Sequence, residues 1–179
     1  MHRTIAAAFV LLLAPALAGA RGPSTEIERK RAVEVTRKLE RQPLARSSGP
    51  DRGWLLQFIV EAPDFQVKGC SGPLDPLAKD DEAPYAKILY VQSIFGMAAF
   101  MFEHPKQVED WISVQTAGIE STLKAYESIL KADPDAHWKE LDRLVTARDE
   151  KKLRKLVEKE MPTCGRGDEE GGPTPRDAI

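Results

Sequence analysis

The longest regular pattern in the chain is an apolar stripe over residues 105–132. Its members recur at steps of three and four positions: Val108, Trp111, Ile112, Ile119, Leu123, Tyr126, Ile129 and Leu130. Such steps place side chains on one face of an α-helix, whereas a half-buried strand alternates at every second residue. On the polar face, the spacing of Glu120 with Lys124 and of Glu127 with Lys131 favours ion pairs along the helix. The pattern predicts a long amphipathic helix.

The segment before this stripe, from about residue 82 to 103, is apolar on nearly all sides. Pro84 suits the first turn of a helix, and Pro105 forces a boundary after it. A helix without a polar face is buried on all sides, so this one is the expected centre of a helical bundle. The sequence therefore predicts an all-α fold with one central apolar helix.

Four further helices are expected around the central one. Thr25 with Glu28, and Ser48 with Asp51, have the spacing of N-terminal capping pairs, which predicts helices at about 25–41 and 50–61. Asp133 and Pro134 are expected to end the long helix and to cap another, and a short last helix is expected at about 149–160. The total is about six helices in one irregular bundle. Residues 64–68 alternate like a short extended segment without a partner strand, and residues 71–83 resemble a connecting loop.

The N-terminus has the pattern of a signal peptide. His2 and Arg3 precede an apolar run over residues 5–17, and the small residues 18–20 suit a signal peptidase. The run is too short to cross a hydrocarbon layer of about 30 Å. We therefore expect residues 1–20 to be a signal peptide cleaved after Ala20, and the exported protein to be periplasmic or extracellular with no membrane span.

The chain contains two cysteines, Cys70 and Cys164. Exported proteins usually meet an oxidising compartment, and two cysteines allow one intramolecular pairing. We therefore predict a Cys70–Cys164 disulfide, which closes a single helical domain over residues 21–164. Residues 165–179 are rich in Gly, Pro and acidic residues and are expected to be a disordered tail.

Composition and charge exclude one class of protein. The formal net charge of the whole chain is −2, and it becomes −3 without the first 20 residues because Arg3 is their only formal charge. A polybasic nucleic-acid binder is therefore excluded. The basic residues at 148–159 are interleaved with acids, which is typical of a solvated face; docking to an anionic surface or partner is the alternative.

The sequence lacks the motifs that are typical of several classes of enzyme. After the signal peptide the chain has two histidines, His104 and His137, and neither belongs to a metal-ligand motif such as HExxH. Patterns for nucleophilic hydrolases, haem attachment and nucleotide-binding loops are absent as well. We expect no catalytic residue, no metal and no cofactor.

Polar and small residues on the two apolar helices are the most informative candidates for a site. Gln92 and Gln115 interrupt apolar faces, and by one interpretation they bond each other or a backbone group and fix the helix register. By the other, small residues leave a cavity for a small apolar ligand with a polar head. The candidate ligand-binding residues are Gln92, Ser93, Gly96, Trp111, Gln115 and Tyr126.

The expected function is that of an exported, non-enzymatic helical module. It would bind a protein or an envelope component through amphipathic helix faces. Two alternatives stay open from the sequence, namely a carrier of a small hydrophobic ligand in the helical core and a hydrolase without a recognisable motif. The sequence identifies neither the partner nor the oligomeric state.

Overall fold

The computed structural model describes residues 21–70, 72–79, 84–162 and 164. These residues form α-helices and no strand, which confirms the all-α fold class. The predicted signal peptide (1–20) and the predicted disordered tail (165–179) lie outside the described residues. The helices are α1 (Glu26–Arg41), α2 (Ser48–Glu61), α3 (Asp75–Lys79), α4 (Ala86–Glu103), α5 (Trp111–Ala132), α6 (Lys139–Asp149) and α7 (Leu153–Glu160).

The first predicted helix start is confirmed and the second is wrong. The Thr25 side chain accepts a hydrogen bond from the Glu28 N–H, and the Glu28 carboxylate accepts one from the Thr25 N–H at 2.8 Å, which makes a complete capping box. Ser48 does not cap α2 with Asp51. It is the first residue of the helix, and its hydroxyl donates to the carbonyl of Gln42 at 2.6 Å. This bond satisfies an acceptor at the end of α1 instead.

The region between α2 and α4 differs most from the prediction. Among the described residues of 71–83 lies the extra helix α3, so the expectation that this segment only connects is wrong. Leu77 in α3 and Leu74 before it are 3 % and 9 % exposed, and both belong to the core. Residues 64–68 form no strand. Two well-placed leucines therefore order a segment whose other residues are typical of a loop.

The starts of the later helices are shifted for local reasons. Tyr85, before α4, has a left-handed φ of 65°, so the helix begins later than residue 82. Turns occupy the residues after Pro105, and Asp110 caps α5 by accepting from the Ser113 N–H at 3.1 Å. Asp133 ends α5 rather than capping α6, and its carboxylate accepts from the Tyr85 hydroxyl at 2.8 Å. The predicted start of the last helix, Asp149, is the final residue of α6.

The helix α4 lies at the centre of the bundle, as the sequence predicts, and packs against α1, α2, α3 and α5. One core cluster joins α3 to α7 around the fully buried Leu123, Ile129 and Leu144. A second cluster, around Leu55 and Phe95, joins α1, α2 and α4. The two clusters place α1 and α2 on one side of α4, and α3, α6 and α7 on the other side of the bundle. No helix among the described residues is long and apolar enough to cross a membrane.

Ion pairs join different helices rather than neighbouring turns of α5. The Lys124 ammonium lies 3.8 Å from the Glu40 carboxylate, and Arg148 binds Glu127 through both of its terminal nitrogens, at 2.6 and 2.9 Å. The i, i+4 pairs predicted along α5 are therefore absent from this part of the structure. A bidentate guanidinium–carboxylate pair fixes geometry as well as charge, so Arg148 ties α6 to α5.

The predicted disulfide is present. Cys70, after α2, and Cys164, after α7, are bonded, and their Cα atoms lie 5.7 Å apart. Cys164 is 6 % exposed and packs into the first core cluster. The bond fastens the residues after α7 to the segment that follows α2.

Candidate functional site

The predicted candidate Gln92 takes part in a buried hydrogen-bond chain. Its side-chain amide donates to the Ser121 hydroxyl at 2.9 Å, and that hydroxyl donates to the Glu40 carboxylate at 2.8 Å. Glu40 is only 5 % exposed and also accepts from Arg37 at 2.6 Å. Since unpaired buried polar groups cost about 1–3 kcal/mol each, this chain specifies how α1, α4 and α5 meet.

Gln115 belongs to a different contact. Its side-chain amide donates to the backbone carbonyl of Lys68 at 2.7 Å, which attaches the segment before Cys70 to α5. Gln92 and Gln115 therefore do not bond each other. Gln115 nevertheless bonds a backbone group, as the register-fixing interpretation allows.

The small residues of α4 and α5 bring the two helices close together. A Cβ atom at Gly96 would collide with the Ser121 side chain and would lie 2.9 Å from the Ala117 carbonyl oxygen. A Cβ atom at Gly118 would lie 2.7 Å from the Met97 side chain and 2.9 Å from the Ser93 carbonyl oxygen. The space beside both glycines is therefore filled by the facing helix.

The other candidates do not converge on one place. Ser93 donates to the carbonyl of Tyr90 within its own helix, at 2.6 Å. Trp111 and Tyr126 stand 15 positions apart on α5, which is about 22 Å along a helix. The six predicted residues thus lie at several places on α4 and α5 instead of around a single pocket.

Tyr126 is held by two hydrogen bonds at the far end of α5. Its hydroxyl donates to the Asp142 carboxylate at 2.7 Å and accepts from the Trp138 N–H at 2.8 Å. Burial, together with the bond to Asp142, raises the pKa of Tyr126 to about 12. His137 lies 3.3 Å from both oxygens of the same carboxylate. These contacts orient the start of α6.

An open groove runs along α1 beside the last turn of α4. Its volume is about 740 Å³. We call it the α1–α4 groove, and its lining consists of Ser24, Glu26, Arg29, Lys30, Val33, Glu34, Phe102 and Glu103. The volume falls within the range of known ligand sites, and the lining combines apolar side chains with charges of both signs.

Phe102 provides the aromatic surface of the groove and is fixed from behind. Its ring meets Phe65 edge to face, with centroids 4.7 Å apart, and lies 6.0 Å from Phe58. Phe58 stacks in turn on Trp54 at 5.5 Å. Aromatic pairs in these geometries contribute beyond their buried area, so Phe102 is presented on a rigid support.

Arg29 is fixed on the other side of the groove. Ser24 donates to Asp64 through both its backbone N–H and its hydroxyl, each at 2.7 Å. Arg29 donates to the Ser24 hydroxyl and to the Asp64 carboxylate, also at 2.7 Å, and its guanidinium lies 5.9 Å from the Phe102 ring centre. The remaining nitrogen, Nη1, makes no hydrogen bond to the described residues.

The Asp64 carboxylate organises this network as an anion. Partial burial raises its pKa, but the hydrogen bonds from Ser24 and Arg29 outweigh that effect and lower the pKa from 3.8 to about 2. Asp64 thus contributes stability that is present above pH 4 and is lost as the pH falls through about 2.

Replacing Asp64 with asparagine tests this network. The D64N variant is expected to unfold with a free energy about 1–3 kcal/mol lower at pH 7, because an amide nitrogen in place of Oδ2 no longer accepts from the Ser24 hydroxyl and from Arg29. Urea unfolding at a series of pH values measures it. The difference from the wild type must shrink between pH 4 and pH 2, and a difference that stays constant over that interval would refute the role of the charge.

Acidic groups are in excess among the unpaired charges of the groove. Arg29 is neutralised by Asp64, and Glu103 accepts from Arg37 at 2.7 Å. Three charged side chains of the lining form no ion pair with the described residues, namely Glu26, Lys30 and Glu34. These two carboxylates and one ammonium group give the unpaired charges a net value of −1. All three are exposed and follow each other at four-residue spacing on α1.

The sequence alone does not reveal this groove. The four-residue spacing of the charges on α1 is visible in it, but no pattern relates α1 to Phe102 or Asp64. Within the described ranges, no group of three His, Cys, Asp or Glu side chains is placed to hold a metal ion. His104 is the C-cap residue of α4, and its ring centre lies 4.6 Å from that of Phe100. No family model, curated protein or solved structure matches the chain, and its function is therefore inferred from the geometry of the groove.

Proposed function

We propose that the protein is an exported, non-enzymatic interaction module that binds a segment of a partner protein in the α1–α4 groove. The main support for this proposal is that Phe102 and Arg29, each held by its own contacts, line the groove together with unpaired charges. Preorganised aromatic and arginine side chains are the residue types that dominate binding energy at protein interfaces. The export part of the proposal is supported by the predicted signal peptide, and the non-enzymatic part by the lack of catalytic motifs in the sequence.

The charges indicate the chemistry of the partner segment. An apolar side chain would contact Phe102 and Val33, which form the apolar part of the lining. Glu26 and Glu34 on the rim favour basic residues on either side of it, because unlike charges across an interface select the partner and speed the encounter. The proposed ligand is therefore a short protein segment in which an apolar residue is flanked by lysine or arginine.

The same structure favours this function over the carrier alternative. A carrier needs space between α4 and α5, and Ser121 and Met97 occupy the space beside Gly96 and Gly118. The α1–α4 groove is open and lined by charges, which suits a polar chain better than an apolar small molecule.

Binding of two labelled peptides tests the proposal. We expect a fluorescent peptide of alternating lysine and leucine to bind the purified protein, and a glutamate–leucine peptide of equal length to bind much more weakly. The E26K/E34K variant should weaken binding of the lysine peptide by about tenfold or more, since two attractive charges become repulsive. Fluorescence anisotropy provides the affinities.

The matched control is E109K/E158K, which makes the same charge change at exposed acidic residues outside the groove. It should leave the affinity within about twofold of the wild type. Equal loss in both variants would mean that the peptide responds to net charge alone. Either that result or equal binding of the two peptides would overturn the proposed site.

A further inference from the structure

A second surface with a different charge lies at the other end of the chain, on α7 and the turn before it. Lys151, Lys155 and Lys159 are exposed, and none forms an ion pair with the described residues. They recur at four-residue intervals, and we call them the lysine row. Lys155 and Lys159 lie one turn apart on the same side of α7.

The neighbouring charges are largely neutralised among themselves. Glu150 binds Lys152 at 2.7 Å, and Asp149 binds Arg148 at 2.9 Å. Glu160 is held by Arg143 at 2.7 Å. Over residues 148–160, Glu158 is the one acidic side chain without an ion pair to the described residues, so the surface carries an excess of positive charge.

The apolar side of α7 is already used. Leu153 and Val157 are 3 % and 0 % exposed, and Met161 after the helix is 4 % exposed. All three belong to the first core cluster. The helix therefore offers a partner no apolar face for insertion, and only electrostatic attachment to its outer face is available.

The identity of the unpaired cations distinguishes among anionic partners. The three arginines of this region, Arg143, Arg148 and Arg154, bind carboxylates of Glu160, Glu127 and Asp110. Arginine is the residue type suited to bidentate recognition of a fixed carboxylate. The unpaired groups are all lysines, whose ammonium groups act as mobile point charges. Such an array suits the diffuse phosphates of a membrane surface better than the fixed carboxylates of a protein.

We propose that the lysine row attaches the protein peripherally to anionic phospholipid headgroups. This attachment is independent of the α1–α4 groove, because α7 packs on α5 and α6 whereas the groove lies on α1 and α4. A protein held at a membrane by one surface keeps the other surface available for a partner.

Sedimentation with lipid vesicles tests the attachment. The full chain is expected to bind vesicles of equal parts phosphatidylglycerol and phosphatidylcholine, and not to bind vesicles of pure phosphatidylcholine. The bound protein should dissociate as the NaCl concentration rises from about 50 to about 500 mM. The K151Q/K155Q/K159Q variant should bind about 100-fold more weakly, at about fivefold per lysine. Circular dichroism verifies that the variant is folded.

The control R41Q/R46Q/K68Q removes the same charge from exposed positions outside both the lysine row and the α1–α4 groove, and it should bind like the wild type. Equal weakening in both variants, or equal binding to both kinds of vesicle, would overturn the proposal. The proposal would also be overturned if soluble polyglutamate displaced the protein from the vesicles at a carboxylate concentration close to that of the lipid phosphates. That result would assign the lysine row to an acidic protein segment.

Discussion

Replacing both Cys70 and Cys164 with alanine is expected to lower the free energy of unfolding by about 4–5 kcal/mol. The two residues are 94 positions apart, so the bond removes much of the conformational freedom of the unfolded chain. Net stabilities of single domains are about 5–15 kcal/mol, so the loss would be a large part of the total. Urea unfolding of the variant and of the oxidised wild type provides the comparison.

The control is the wild type unfolded in the presence of a reductant, which removes the bond and keeps both side chains. It should match the alanine variant to within about 1 kcal/mol, the contribution expected from packing of the buried Cys164 side chain. If reduced and oxidised wild type unfold at the same urea concentration, the bond has no stabilising role.

Replacing Gly96 with alanine is expected to destabilise the protein by about 3 kcal/mol. In a solvated helix this change is favourable by about 1 kcal/mol, because alanine has the higher helix propensity. Here the new Cβ would collide with Ser121 and would lie 2.9 Å from the backbone oxygen of Ala117. A backbone neighbour cannot rotate away, so α4 and α5 must separate and lose packing along their length.

Gly53→Ala is the matched control for this prediction. Gly53 also lies in a helix, α2, but a Cβ atom there would meet nothing within 4 Å. The change should therefore stabilise the protein by about 0.5–1 kcal/mol. Chemical denaturation of both variants gives opposite signs if the α4–α5 contact is as close as described, and a stabilising effect at Gly96 would contradict it.

The sequence predicted the elements whose signals are local. The apolar stripe of α5 and the continuous apolar surface of α4 identified the central pair, because periodicity alone determines which face of a helix is buried. The capping box of Thr25 and Glu28 likewise depends on residues three positions apart. The disulfide followed from the number of cysteines rather than from any knowledge of the fold.

The errors arose where a distant residue decides the local structure. Tyr85 has a left-handed backbone conformation, so α4 begins only after it. Its hydroxyl donates a hydrogen bond to Asp133, 48 positions away. Residues 71–83 contain a helix because Leu74 and Leu77 reach the core, although the surrounding prolines and glycines are typical of a loop. In both cases tertiary contacts override the local preference, which a pattern of neighbouring residues does not contain.

The candidate site depends even more on distant contacts. Asp64 lies 35 positions from Arg29, and Phe102 lies 37 positions from Phe65, yet these four side chains form the groove and its support. The sequence instead identified Gln92 and Gln115 by their polarity within apolar surfaces. These amides are bonded to Ser121 and to the Lys68 carbonyl, so their polarity reflects helix assembly.

The long separation between Cys70 and Cys164 has a consequence for synthesis. The helices α4 and α5 are neighbours in sequence, and Gln92 and Ser121 are only 29 positions apart. Both helices are complete before Cys164, which follows 94 positions after Cys70 and therefore roughly 5–20 s later at ordinary translation rates. Cys70 has no intramolecular partner during that interval. Premature termination before residue 164 therefore leaves Cys70 with a thiol that can react with other molecules.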